Sequence, residues 1–194
     1  MWIKICGMTT PTAVAAALEA GADAIGFVFA ESVRRVSTQV ATQLATPARG
    51  RMRCVAVIRH ATQQEFDSIL ADFAPDVVQA DLSDLARLVV PRELGVLAVV
   101  RAGHEPPNPP ARVLFEGPVS GTGVPCDWAR ARIFGQKTEL VLAGGLNAAN
   151  VAEAIRAVRP FGVDVSSGVE EKPGIKSPLE IARFVQAARQ EAKL

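Results

Sequence analysis

Short apolar runs alternate along the whole chain with stretches whose apolar positions recur every three to four residues. Residues 3–6, 24–29, 53–58, 77–79, 95–100, 112–115, 140–143 and 162–165 read as eight strands. Helix starts are marked more sharply. Ser177-Pro178-Leu179-Glu180 combines a cap, a proline at the first helical position and a capping-box glutamate, and Ile181, Phe184, Val185 and Ala188 then share one face. Thr62 with Glu65 opens a second such helix, with Phe66, Ile69, Leu70 and Phe73 inward. Asp81 with Asp84 precedes Leu85, Leu88 and Val89 in the same way. Asn147 is placed to cap a helix that buries Val151, Ala154, Ile155 and Val158, and Thr10-Pro11 opens the first helix. Residues 102–111 break the rhythm: Pro106, Pro107, Pro109 and Pro110 exclude a regular helix there, leaving eight strands and seven helices.

An open doubly wound sheet, two half-size units and a closed barrel all accommodate such alternation. No linker divides the chain and no strand reads as a polar edge, which favours a compact TIM-type (β/α)8 barrel, an α/β fold lacking a regular fifth helix and spanning residues 1–194 as one domain. Each unit has only about 24 residues, tight for a fold that usually runs to about 250. Gly7 stands alone after the first strand, without the Gly-x-Gly-x-x-Gly of a dinucleotide fold.

Composition narrows the class further. The 194 residues are 49% hydrophobic, enough for a full core, and 21 basic against 20 acidic residues give a net charge of +1, without the basic excess of a nucleic-acid binder. No segment approaches 18 uncharged apolar residues and the N-terminal residues form no leader, so neither a membrane span nor secretion is expected. Three cysteines are too few for a disulfide scaffold and fit a reduced, cytoplasmic setting. The helices show no isolated apolar stripe that would choose between a monomer and a homodimer.

In a barrel the chemistry sits at strand carboxyl ends. Cys6 is either a buried apolar residue or a thiol at the mouth. Asp127 is either the cap of the helix through Trp128 and Arg132, or a carboxyl whose pKa an apolar surround such as Trp128 raises. Gly144-Gly145 and Ser166-Ser167-Gly168 end the last two strands, where barrels commonly hold a phosphate on backbone N–H groups. Of Arg34 and Arg35, one is expected to face solvent and the other to clamp a carboxylate. Lys4 shares parity with Cys6, and Asp164 with Ser166. Strands one and eight adjoin in a closed barrel, so a buried Lys4–Asp164 ion pair is expected, with Lys4 favouring the Cys6 thiolate.

With these features the chain resembles the phosphoribosylanthranilate isomerases of tryptophan biosynthesis. The matching stretches are Lys4-Ile5-Cys6-Gly7-Met8-Thr9, Gly21 to Phe29, Gly121-Thr122-Gly123 with Cys126-Asp127-Trp128, Leu142 to Leu146 with Asn150-Val151, and Val163 to Glu170 with Pro173-Gly174. The resemblance implies an Amadori rearrangement without metal or cofactor, acting on a phosphorylated aminosugar. Cys6 would be the general base, Asp127 the general acid and Arg34 the residue facing the anthranilate carboxylate. Gly144, Gly145, Asp164, Ser166, Ser167 and Gly168 would line the substrate and its phosphate. Three positions depart from the family pattern. Gln79-Ala80-Asp81-Leu82 stands where Gln-Leu-His-Gly is usual, Glu116 where strand six ends in Asp, and Val33 where a proline is common. A histidine-pathway isomerase fits less well, because Cys6 occupies the place of its aspartate and the first half lacks a phosphate motif. A non-catalytic ligand-binding barrel would need neither Cys6 nor Asp127.

Overall fold

The computed structural model describes residues 1–117 and 126–192. Eight parallel strands form a closed barrel in chain order: β1 (Trp2–Cys6), β2 (Ala24–Val28), β3 (Arg53–Val57), β4 (Val77–Asp81), β5 (Gly95–Arg101), β6 (Arg112–Glu116), β7 (Glu139–Leu142) and β8 (Gly162–Val165). β8 pairs back onto β1 with Lys4 beside Asp164. Around the barrel lie α1 (Pro11–Ala20), α2 (Thr38–Ala45), α3 (Gln63–Phe73), α4 (Leu82–Leu85), α5 (Trp128–Phe134), α6 (Val151–Val158) and α7 (Pro178–Glu191). A two-stranded hairpin, β9 (Glu170–Lys172) with β10 (Ile175–Lys176), follows β8 and had no signal in the hydrophobic pattern.

Strand residues are apolar on both faces for two different reasons. One set, including Ile3, Ile5, Phe27, Phe115 and Val163, packs under the helices in the main core. The other points into the barrel, where Leu97, Val99, Leu114, Val141 and Ala143 form a plug resting on Trp2, Val77 and Phe161. The plug closes the lower barrel and leaves the carboxyl ends of the strands as the place for polar groups.

Caps explain where the helices begin. The Thr10 hydroxyl accepts the Ala13 N–H, and Gly21 ends α1 in the left-handed region at φ 78°. Thr62 and Glu65 form the full reciprocal capping box of α3. Ser177 caps α7 as expected, but Glu180 turns its carboxylate to Arg183 at 2.7 Å, so that box is only half formed. The helix expected after Asp81 shrinks to the single turn of α4, and Val89 is exposed. Both of its would-be capping carboxylates are committed elsewhere: Asp81 pairs with Arg101, and Asp84 accepts the His60 N–H. Asn147 caps a turn rather than the helix itself, taking the N–H groups of Ala149 and Asn150, and α6 starts at Val151. No helix lies between β5 and β6, as the prolines require. Among the described residues no helix is long and apolar enough to cross a membrane.

Candidate active site

The site begins with a charge that the fold must neutralise. Lys4 points inward from β1 with its side chain 0% exposed, and its ammonium lies 2.7 Å from Asp164 Oδ1 on the adjoining strand. Burial works most strongly against the charged lysine, yet Asp164 and, after it, Cys6 together outweigh burial and hold the Lys4 pKa above its ordinary value. The pair expected from strand parity is therefore present.

One step further up β1, Cys6 turns to the same side and is 7% exposed. Its neighbour across the ladder is Gly26, where a Cβ would stand 2.9 Å from Cys6 Sγ and 3.3 Å from Lys4 Nζ. Gly26 therefore makes the room in which thiol and ammonium meet. Nothing in the chain pattern had singled it out. Burial pushes the Cys6 thiol up more strongly than Lys4, which favours the thiolate as expected, pulls it down, and Asp164 adds to the upward push, so the Cys6 pKa lies above its ordinary value.

The rim over Cys6 is held by an ionic network. Arg34 donates from Nε and Nη2 to the two oxygens of Glu170 at 2.7 and 2.8 Å, while Arg35 faces solvent. Glu170 also accepts from Lys176 Nζ at 2.8 Å, and the buried Lys176 donates to the Ser166 carbonyl at 2.9 Å and to its hydroxyl at 3.2 Å. Ser166 Oγ in turn donates to the Cys6 carbonyl at 3.1 Å. Arg34 passes directly over Gly7, where a Cβ would lie 2.6 Å from its Cδ. Sequence reasoning gave Arg34 a carboxylate ligand but missed that the chain itself supplies one, in Glu170.

The two turns expected to bind phosphate lie together. Gly144 and Gly145 both have positive φ, 90° and 68°, which glycine adopts without strain. Asn150 Nδ2 ties this turn to α6 by donating to the Gly145 carbonyl at 2.9 Å. A Cβ on Gly168 would overlap the Leu146 carbonyl oxygen, so the turns after β7 and β8 approach this closely only because residue 168 has no side chain. The N–H groups of Gly144 and Gly145 find no acceptor among the described residues. Ser166 is half-buried and Ser167 exposed.

Across the mouth a cavity of about 210 Å³ opens above Cys6, Asp164 and Ser166 and reaches β4, β5 and β6. Its far wall carries two of the three departures from the family pattern, at Gln79 to Leu82 and at Glu116, while Val33 lies exposed after β2. Arg101 lies 2.7 Å from Asp81 and 3.4 Å from Glu116, and Arg59 approaches Asp81 at 3.8 Å. Gln79 also lines the cavity, and its Oε1 is buried with no hydrogen-bond donor among the described residues. A buried amide oxygen without a partner is costly, and no local sequence signal marks it.

Asp127 stands apart from this group. It is exposed and its Oδ1 accepts the Arg130 N–H at 3.0 Å, capping α5. Of the two readings open for it the cap is the one formed, because at the start of a helix the carboxylate turns to the helix's own free N–H groups, and among the described residues Trp128 does not enclose it. Gly121-Thr122-Gly123, just before it, lies outside the described residues. Among the described residues no three His, Cys, Asp or Glu side chains are grouped to hold a metal ion.

A closed barrel with a buried thiol, an internal ion pair and two touching glycine turns at one mouth defines a (β/α)8-barrel enzyme. The family model of N-(5'-phosphoribosyl)anthranilate (PRA) isomerase matches residues 3–187, and the chain belongs to that family. It is 36% identical over 210 residues to the N-(5'-phosphoribosyl)anthranilate isomerase of Chelativorans sp. (strain BNC1), covering 96% of this chain and 95% of the relative. Phosphoribosyl anthranilate isomerase from Thermus thermophilus superposes with a TM-score of 0.86 at 26% identity, covering 98% of this chain and 99% of that one. The Thermotoga maritima enzyme superposes at 0.81 with 28% identity and the same coverage.

Proposed function

We propose that Cys6 is the base and Asp127 the acid of the isomerisation that family membership carries. The reaction turns N-(5-phosphoribosyl)anthranilate into 1-(2-carboxyphenylamino)-1-deoxyribulose 5-phosphate, a step of tryptophan biosynthesis. The observation that supports this assignment best is the chamber around Cys6, where a thiol, an ammonium and a missing side chain at Gly26 meet on the floor of the cavity.

The reaction needs one proton given and one taken. A protonated Asp127 delivers a proton to the ribose ring oxygen while the anthranilate nitrogen lone pair forms the C1=N bond and the C1–O bond breaks. The C2 proton is then acidic, because the electrons of its C–H bond can flow toward the iminium nitrogen. Cys6 as thiolate takes that proton, and the resulting enolamine tautomerises to the aminoketose. Lys4 favours the thiolate even though burial opposes it. In this reading Arg34 meets the anthranilate carboxylate, and Gly144, Gly145, Ser166, Ser167 and Gly168 hold the phosphate, with Asp164 beneath keeping Lys4 in place. The three cysteines are free and buried, which suits the reducing cytoplasm we assign it. Every residue given a role comes from one chain, so the reading serves a monomer and a homodimer alike.

Cys6→Ser and Asp127→Asn test it separately. Each is expected to lower turnover by about 10² to 10⁴ with little change in affinity for a reduced product analogue. Asparagine still caps a helix, so Asp127→Asn isolates the proton from the fold. Full turnover in Asp127→Asn would move the acid to another carboxyl, and full turnover in Cys6→Ser would remove the thiol from the mechanism.

A further inference from the structure

We propose that Glu170 is a positioning residue for the substrate: it holds Arg34 at the angle needed to meet the substrate carboxylate and, through Lys176, links that placement to the Ser166 turn. The inference rests on the reading of Arg34 given above. Arginine has a long side chain whose rotamer freedom must be lost before it can bind anything. Here that freedom is removed in advance. Two parallel hydrogen bonds, at 2.7 and 2.8 Å, fix the plane of the guanidinium, and the two side chains are only 13% and 6% exposed. The fork engages Nε and Nη2, and Arg34 remains part of the cavity wall.

Glu170 is itself held from several directions. It heads the β9–β10 hairpin, whose other end carries Lys176, and all three donors of Lys176 are used on Ser166 and Glu170. The hairpin is packed onto the loops after β1 and β2: Thr9 Oγ1 donates to the Gly174 carbonyl at 2.6 Å, and a Cβ on Gly174 would come within 2.7 Å of the Val33 carbonyl oxygen. Two cations, Arg34 and Lys176, thus share one carboxylate. The cluster keeps a surplus positive charge beside the turn assigned to the phosphate, complementary to a substrate that is anionic at both ends.

Steady-state kinetics on the full chain test this with Glu170→Gln, Arg34→Ala and the double variant, using N-(5-phosphoribosyl)anthranilate. Glu170→Gln should raise KM about tenfold, equivalent to about 1.4 kcal/mol, with kcat moving far less. In the Arg34→Ala background the same change should alter KM less than about twofold, because the residue through which Glu170 acts is gone. If Glu170→Gln does not fold, Glu170→Gln/Lys176→Met removes one anion and one cation together and is read in its place. A KM unchanged by loss of Glu170, or an effect of full size in the absence of Arg34, overturns the inference. An unchanged KM in Arg34→Ala alone instead overturns the Arg34 reading on which it stands.

Discussion

The two sides of the barrel mouth solve the problem of polar groups in an apolar interior differently. On the β8–β1–β2 side, each buried charge has a close partner on an adjoining segment: Lys4 with Asp164, Arg34 and Lys176 with Glu170. On the β4–β6 side, Arg101 bridges Asp81 and Glu116 at 2.7 and 3.4 Å, Arg59 reaches Asp81 at 3.8 Å, and Gln79 has an amide oxygen without a donor among the described residues. The first side is built before any ligand arrives, and this is also where the thiol and the glycine turns lie. The second carries a buried amide oxygen without a donor among the described residues, and it holds two of the three positions where the sequence leaves the family pattern, Gln79 to Leu82 and Glu116. Pre-organisation among the described residues is thus concentrated around the Cys6 thiol, while the proposed acid Asp127 stands apart from it.

The largest break in this comparison should come from Lys4→Met. It strands the Asp164 carboxylate inside the barrel, and removing one partner of a buried pair costs about 3 to 5 kcal/mol. Urea unfolding should register that loss as a lowered midpoint. Replacing both partners with apolar residues of similar volume should recover most of it, since no charge is then left unpaired. A Lys4→Met protein as stable as the parent would mean that the pair does not organise this side.

A smaller effect separates the sides by pH. Burial raises the Cys6 pKa above its ordinary value, so the thiolate fraction is still growing at the pH where a free thiol, near 8.5, is half ionised. The thiolate of Cys6, read as the ultraviolet absorbance difference between the parent and Cys6→Ser, should therefore climb about tenfold per pH unit through neutrality and keep rising past about pH 8.5. A thiolate signal that levels off below pH 8 would show that Lys4 wins over burial.

The contrast also marks what could be read from the sequence. The eight strands were visible because each is a short apolar run between helix caps, and the Lys4–Asp164 pair followed from parity once the barrel was assumed to close. Cys6, Arg34 and the glycine turns are local in the chain, and local signals survive without a structure. Glu170 was visible only as a letter in a matching stretch, because its role depends on a hairpin of five strand residues that no hydrophobic period announces. Gly26 carries no side chain, so its function exists only in what stands opposite it. The Asp81–Arg101–Glu116 bridge joins three strands and has no spacing rule. Asp127 shows the opposite limit: its two readings share the same residues, and the structure displays the capping one.

The smallest predicted effect tests whether the β4–β6 wall takes part in recognition. Gln79→Leu keeps nearly the same volume and removes an amide whose buried oxygen has no donor among the described residues, so the folded state loses an uncompensated desolvation cost. The variant should be more stable by about 1 kcal/mol, within the range of about 1 to 3 kcal/mol that an unsatisfied buried group costs, and should unfold at higher urea with an unchanged denaturant slope. Stabilisation accompanied by a higher KM would show that the amide is kept for the ligand at the expense of the fold, as strained or unsatisfied groups at functional sites often are. Stabilisation with KM untouched would make this wall a passive boundary and leave recognition to the β8–β1–β2 side. A loss of stability would mean that the oxygen has a partner in solution after all, and the division between the two sides would have to be redrawn.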